Sequence, residues 1–489
     1  MFEMSLQNKK IIIIPFLLLL IIAFAWLIAL HGLLIALMGI AIPVGLLLLF
    51  ALFKNPERGI WVLFGINYIV LGLTRYLPGS LGLIIDSMLV LIHLAVFFKY
   101  FHDKDIYKKA RNPLMLLAAL WYSYALFQLV NPEAVSRVAW FYAMRGVALH
   151  MLLTIPLVLM FLDTPEKLSK FFHLWMFFAL LGVMKGMMQK FIGPDPWEQA
   201  WLDGGGSLTH VLFGKLRVFS FFSDAGQFGA AMGHAGVVFT VLALTTTKNI
   251  SRIVYGLAAA IFFYGMLISG TRGAIAVPLG GFMLYLILSK NIRLIAIGSI
   301  AGMAFYIFIF HTHIGQGNYD IARLRTAFDK DNPSLQVRLE NQRKLKSYMA
   351  SKPLGGGIGS SGNWGQRFSP NTFLANTPTD SWYVMIWAEQ GIIGLALHLG
   401  ILFFIILRSS WVILFKIKNK WLRNRMIALV CGIFGIMAAS YGNGILGQMP
   451  TGLIIYMSMA FLFMSEKMED QLKNRIKMKT ISENSSTNP

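Results

Sequence analysis

Three side chains of this 489-residue sequence are suited to chemistry by type and by place: Arg272, Arg338 and Asp380. Arg272 stands alone in a glycine-flanked turn, "SGTRGA", between two apolar runs. Arg338 belongs to "PSLQVRLENQRKLKSYMASKP", where Pro333 can start a helix and Pro353 follows its end. A guanidinium presents a planar fork of donors that fits phosphate oxygens two at a time. Asp380 begins "DSWYVMIWAEQGIIGL", and a carboxylate there can cap a helix or take the proton of a hydroxyl. Cations and one placed carboxylate could together hold an anionic leaving group and activate an attacking hydroxyl.

A wider set of candidates surrounds these three. "GKLRVFSFFSDAGQFGA" carries Arg217 as a further phosphate ligand, Asp224 as a helix cap or an acid, and Gln227. Asp86 and Lys185 fall inside apolar runs, where an ionisable group is expensive and faces a protein interior or a cavity. Each is read as a buried ion that orders its neighbours or as part of a site. Trp382, Tyr383 and Trp387 could stack on sugar rings or form an interfacial aromatic belt, and Glu389 lies on the same run. Gly355 to Gly357 make only a weak phosphate cradle, since no strand precedes them. His311 and His313 are a lone His-x-His pair and no Cys cluster exists, so neither a metal site nor a cofactor is expected.

The elements that must position these residues are membrane helices. With 56% hydrophobic and 13% charged residues, a soluble fold could not hide the apolar surface. Runs of roughly 20 apolar residues, apolar on every face, point to spanning helices and not to barrel strands. The pattern reads as an all-α polytopic bundle of about 14 spans. They fall near 11–30, 32–53, 59–74, 80–99, 113–129, 147–163, 171–189, 226–246, 253–270, 273–289, 292–311, 382–407, 425–442 and 448–464. Residues 1–464 are read as one transmembrane domain, and 465–489 as a basic, polar cytoplasmic tail for which disorder is expected.

Positive charge sets the orientation. Lys9 and Lys10, Lys54 and Arg58, Lys99 to Arg111, Lys167 and Lys170, Lys248 and Arg252, Lys290 and Arg293, and Arg408 to Arg425 all alternate onto one side, the cytoplasm, with both termini. The long polar segment, about 312–380, and a second loop from Lys190 to Ala225 then face outward. The long segment opens with "YDIARLRTAFD", read as a short helix. Gly226, Gly229, Gly233 and Gly236 suit close helix packing. The net charge of +21 is scattered between spans as membrane anchors, so nucleic acid is not an expected partner. Cys431 alone can form no intramolecular disulfide.

Read in order, "ISGTRGA", an Arg-bearing helix running into "PLGGGIG", and "TDSWYVMIWAEQGIIGL" resemble the O-antigen ligase and polymerase superfamily of bacterial membrane glycosyltransferases. "RVFSFFSDAGQFGA" is similar to that family's Arg-x-x-(Gly/Ser)-x-Phe element. The resemblance covers about 216–397. It implies a glycan donor on undecaprenyl diphosphate, a glycan or lipid acceptor, and metal-independent transfer at the outer face of the inner membrane. Arg272 and Arg338 match the arginines that hold the lipid diphosphate, and Arg217 matches more loosely. Glu389-Gln390-Gly391-Ile392-Ile393-Gly394 matches the signature of the helix that enters the membrane. Ligases of the family typically place His, then Asn or a similar residue, where this chain has Asp380-Ser381. That difference leans toward a polymerase or a ligase with another acceptor. A lipid-glycan transporter or flippase is the rival class; it would use the same cations but needs a polar path through the bundle.

Overall fold

The computed structural model describes residues 33–486 except 78, 213, 316, 318–320, 323–324 and 326–332, and before them residues 15, 18–19 and 22–30. Almost all of this is helix. The one sheet among the described residues is a two-stranded antiparallel hairpin, Val211–Leu212 with Lys215–Leu216. A helix lies on each expected span from 32–53 onward, while 11–30 falls largely outside the described residues. Ten described helices are long and apolar enough to cross a membrane, which makes the chain a multi-pass membrane protein. Leu33–Lys54, Pro56–Leu73 and Thr451–Phe463 are helical too but are not among the ten.

Helix starts follow their punctuation. Asn112, Thr164 and Asp195 each accept a backbone N–H from the first turn and are each followed by proline at the first helical position. Asp224 does the same for Ala225–Thr245, accepting from Gln227 N–H at 2.9 Å.

Ala225–Thr245 is the axis of the core. It is the most enclosed of the ten, with 83% of its apolar window buried, against 6% for Ile292–His311, which is exposed on nearly every side. Small residues explain the difference: Gly229 lies against Ser269, Gly233 against Met266 and Val277, and Gly236 against Phe263. Without side chains there, Asn249–Ile268, Ala276–Ser289 and Lys420–Ala439 approach closely.

The long polar segment docks on the bundle. Pro333–Met349 is a helix, as its bracketing prolines predict, and Leu345 and Met349 are buried against Leu374, Val384 and Ala388. "YDIARLRTAFD" lies mostly outside the described residues. The expected disorder of the tail is not found: Ser465–Ser486 is a helix. Specific charges pin it. Lys467 Nζ meets Asp163 Oδ2 at 2.7 Å, Glu469 accepts the N–H groups of Lys418 and Asn419, and Arg475 pairs with Glu166. Burial pushes the Asp163 carboxyl up, but hydrogen bonds from Lys467 and Lys109 outweigh it and hold it below its usual range. Polar composition suggested disorder; partners far away in sequence reverse it.

Candidate functional site

The site is built on a broken helix. Trp382–Phe415 is interrupted at Gly391, whose φ of 69° and ψ of −172° no helix contains. The carbonyls released by the break are taken up from outside: Ala388 accepts from Gly356 N–H at 2.9 Å, Glu389 from Gly357 N–H at 2.8 Å, and Gln390 from Tyr124 Oη at 2.8 Å. A Cβ on Gly391 would overlap the Pro353 carbonyl, and one on Gly355 the backbone of Gln390 and Gly391. Gly355 lets the loop and helix backbones touch, and the Gly356 and Gly357 N–H groups are taken up by the helix carbonyls. Glu389 is buried, and its Oε1 accepts from Ser361 N–H at 3.2 Å and Ser361 Oγ at 2.8 Å.

The first half of this helix begins with Asp380 just outside it. The cap is Ser381, whose Oγ accepts from Val384 N–H at 3.4 Å. Asp380 therefore does not cap the helix; it holds a left-handed backbone, φ 50°, and its side chain lines a cavity of about 470 Å³. Arg338 reaches it from Pro333–Met349, Nε to Oδ2, 3.5 Å. Both side chains are well exposed, 37% for Arg338 and 42% for Asp380.

The opposite wall of the cavity carries Asp86, in the first turn of Leu83–Tyr100. Arg145 Nη1 donates to its Oδ2 at 2.7 Å, and His150 Nε2 lies 2.8 Å from its Oδ1. Arg145 opens a π-helical turn, Arg145–Leu149, within the long Arg137–Phe161 span; the extra residue per turn swings Arg145 and His150 to the same face. Tyr142 and Trp364 stack at the rim, centroids 4.9 Å apart, with planes 17° off parallel. Trp382 also lines the cavity, but it is buried and its Nε1 donates to His398 Nε2 at 3.0 Å, so it is a wall and not an open stacking face.

A third segment, 440–450, joins the parts. Ser440 and Asn443 carbonyls accept the Trp382 N–H, at 3.0 and 3.3 Å, and Gly444 accepts from Gln227 Nε2 at 3.2 Å. A Cβ placed on Gly442 would sit 4.0 Å from Arg338 Nη1, and one on Gly273 would collide with Asn443 Nδ2. Arg272 starts the short helical turn Arg272–Ile275 beside this segment, outside the cavity lining. Arg217 approaches the same turn, Nη2 donating to Thr271 Oγ1 at 2.9 Å and Nη1 to the Thr209 carbonyl at 2.9 Å. The segment thus bridges the Arg217–Arg272 region to Arg338 and Asp380.

Two residues fall elsewhere. Asp224 is a helix cap that also accepts from Ser223 Oγ at 2.9 Å. Lys185 binds Asp195 Oδ2 at 3.0 Å and Glu198 Oε1 at 3.1 Å, anchoring the Pro196–Trp201 helix away from the cavity. Next to it, Arg75 donates to the carbonyls of Ser220, Phe222 and Ser223 and lies over the Trp201 and Phe219 rings. Burial lowers its guanidinium to about 10, with Glu198 opposing. It shapes the loop leading into Asp224.

Sequence reasoning missed Arg145, His150, Tyr142, Trp364, Arg75 and the 440–450 segment. The first two had a signal, since charged or imidazole side chains in an apolar run face inward. "SYGNGILGQMP" has no charge at all and gave none. His311 and His313 join no cluster: among the described residues no group of three His, Cys, Asp or Glu side chains is placed to hold a metal.

A multi-pass helical membrane protein, with arginines, a half-exposed aspartate and a helix broken by a glycine loop gathered at one end of its bundle, is the class that these features define. A family model described as O-antigen ligase matches residues 257–399, the stretch that runs from just before Arg272 through Arg338 and Asp380 to the break at Gly391. Over that stretch the chain is similar to the O-antigen ligase family. A search of the curated proteins gives no match.

Proposed function

We propose that the chain is a membrane glycosyltransferase that transfers or polymerises a glycan carried on undecaprenyl diphosphate, at the outer face of the bacterial inner membrane, during surface polysaccharide synthesis. The observation that carries this reading is the meeting of Arg338 with Asp380, 3.5 Å apart and both accessible, where Asp380 lines the cavity. A carboxylate that does not cap its helix and a guanidinium that no tight ion pair consumes are what displacement of a diphosphate requires.

In this reading the acceptor hydroxyl attacks the anomeric carbon of the donor. Asp380 takes the hydroxyl proton as the new C–O bond forms. The bond from that carbon to the phosphate oxygen breaks, its electron pair leaving with the lipid diphosphate, whose charge Arg338, Arg272 and Arg217 hold. The Tyr142–Trp364 stack at the rim offers a face for a sugar ring. Asp86, fixed by Arg145 and His150, lines the far wall, where it can accept a hydrogen bond from a sugar hydroxyl.

Purified protein, reconstituted in vesicles with a polyprenyl-diphosphate glycan and an acceptor glycan, is expected to release lipid diphosphate and lengthen or join the glycan without added nucleotide sugar. Movement of the lipid-linked glycan across the vesicle without turnover would replace this reading with that of a flippase.

A further inference from the structure

A second cavity, about 220 Å³, lies at the far end of Ala225–Thr245 from Asp224. At 1.5 Å per residue, that 21-residue helix separates the two ends by roughly 30 Å, a hydrocarbon thickness, so this cavity meets the membrane face opposite Asp380. Thr245, Thr246 and Thr247 form one wall, and Lys420, Asn424 and Arg425 the other. Asn424 Nδ2 donates to the Thr245 carbonyl at 3.0 Å and ties the walls together.

Arg425 makes the cavity unusual. Its guanidinium lies 3.8 Å from the centre of the Trp421 ring and donates through Nη1 to the Trp421 carbonyl at 3.2 Å, while its buried Nε has no hydrogen-bond partner among the described residues. Its charge is met by the Tyr255 hydroxyl and, among the described residues, by no carboxylate. A desolvated guanidinium without a counter-charge is costly, and a second cation, Lys420, stands beside it. Hydroxyls, a guanidinium edge and an ammonium around one void form an anion cradle of phosphate size. Leu244, 55% exposed, and Ile250, 78% exposed, flank the threonines and bring hydrocarbon to its rim.

We propose that this cavity binds the phosphate of an anionic phospholipid of the leaflet opposite Asp380, with Arg425 gripping the phosphodiester and Lys420 selecting against headgroups that carry their own ammonium. The exposed apolar rim favours a lipid over free phosphate.

Native mass spectrometry of the full-length protein, offered phosphatidylglycerol, phosphatidylcholine or inorganic phosphate, tests this. Wild type is expected to retain one more phosphatidylglycerol than Arg425→Gln or Lys420→Ala, with about tenfold weaker retention of phosphatidylcholine. Lys420 is exposed, so its replacement reports on binding even if Arg425→Gln fails to fold. Equal phosphatidylglycerol retention by wild type and Lys420→Ala overturns the site. Millimolar inorganic phosphate that displaces the extra lipid and binds in its place would overturn the lipid assignment in favour of the free ion.

Discussion

Lys185 and Arg338 are both cations read from the sequence as candidates, and the structure treats them in opposite ways. Lys185 is 14% exposed and answered by two carboxylates at 3.0 and 3.1 Å, one of which, Glu198, also accepts from Gln189 Nε2 at 2.8 Å. Arg338 is 37% exposed and meets one carboxylate at 3.5 Å, longer than the roughly 2.8 Å of a charge-assisted hydrogen bond. A closed network has spent its donors on the protein itself. An open one keeps them for something else. Asp86 falls between, closed on one side by Arg145 and His150 and open to the cavity on the other.

The sharpest break of this contrast is at Asp380. Because Ser381 is the cap and Asn tolerates the left-handed backbone at φ 50°, Asp380→Asn keeps the fold. Loss of a general base should slow glycan transfer by about 10²–10⁴ at unchanged membrane expression. A near-normal rate in the vesicle assay would falsify the base assignment.

Arg338→Ala and Arg272→Ala come next. On the proposed reading each would remove a charge-assisted phosphate contact of roughly 1.5–3 kcal/mol, so transfer should fall about tenfold or more. Lys should rescue only in part, since it lacks the planar fork. Wild-type turnover in Arg272→Ala would remove that residue from the site.

Lys185→Met should show the reverse pattern. It strands Asp195 and Glu198, so the thermal midpoint and the folded yield should drop, while the rate per folded molecule stays within about twofold. A large loss of turnover at unchanged stability would put Lys185 in the chemistry and erase the contrast. The smallest effect is expected of Ser334→Cys, which should leave transfer untouched and react with an impermeant thiol reagent before the inner membrane is breached; labelling only after permeabilisation would put the long segment on the other side.

What was legible in the sequence was whatever a local rule could carry. Apolar run length gave the helices, Pro333 and Pro353 bracketed the arginine helix, and Asp224 before "AGQFGA" marked a cap. Fourteen spans were read and ten described helices are long and apolar enough to cross: 11–30 lies largely outside the described residues, Leu33–Lys54 and Pro56–Leu73 are not among the ten, and run length alone did not separate a full span from Thr451–Phe463, a buried 13-residue helix. Partnership across the chain was not legible. Asp86 finds Arg145 and His150 at separations of 59 and 64 residues, and Glu469 finds the 418–419 turn 50 or so residues back. The uncharged 440–450 segment matters through its carbonyls, which every residue has and no composition reveals.

The break at Gly391 has a consequence for modularity. Gly356 and Gly357 supply the donors that the interrupted helix lacks, so residues 353–357 are part of the bundle's own hydrogen-bond ladder, though the chain reaches them from the polar segment. The long polar segment is therefore not a detachable appendage: excising it whole would leave the Ala388 and Glu389 carbonyls bare inside the bundle, each costing several kcal/mol. Length changes between relatives should be absent from Pro353 to Ser381, which behaves as one inseparable splice between the polar segment and the apolar bundle.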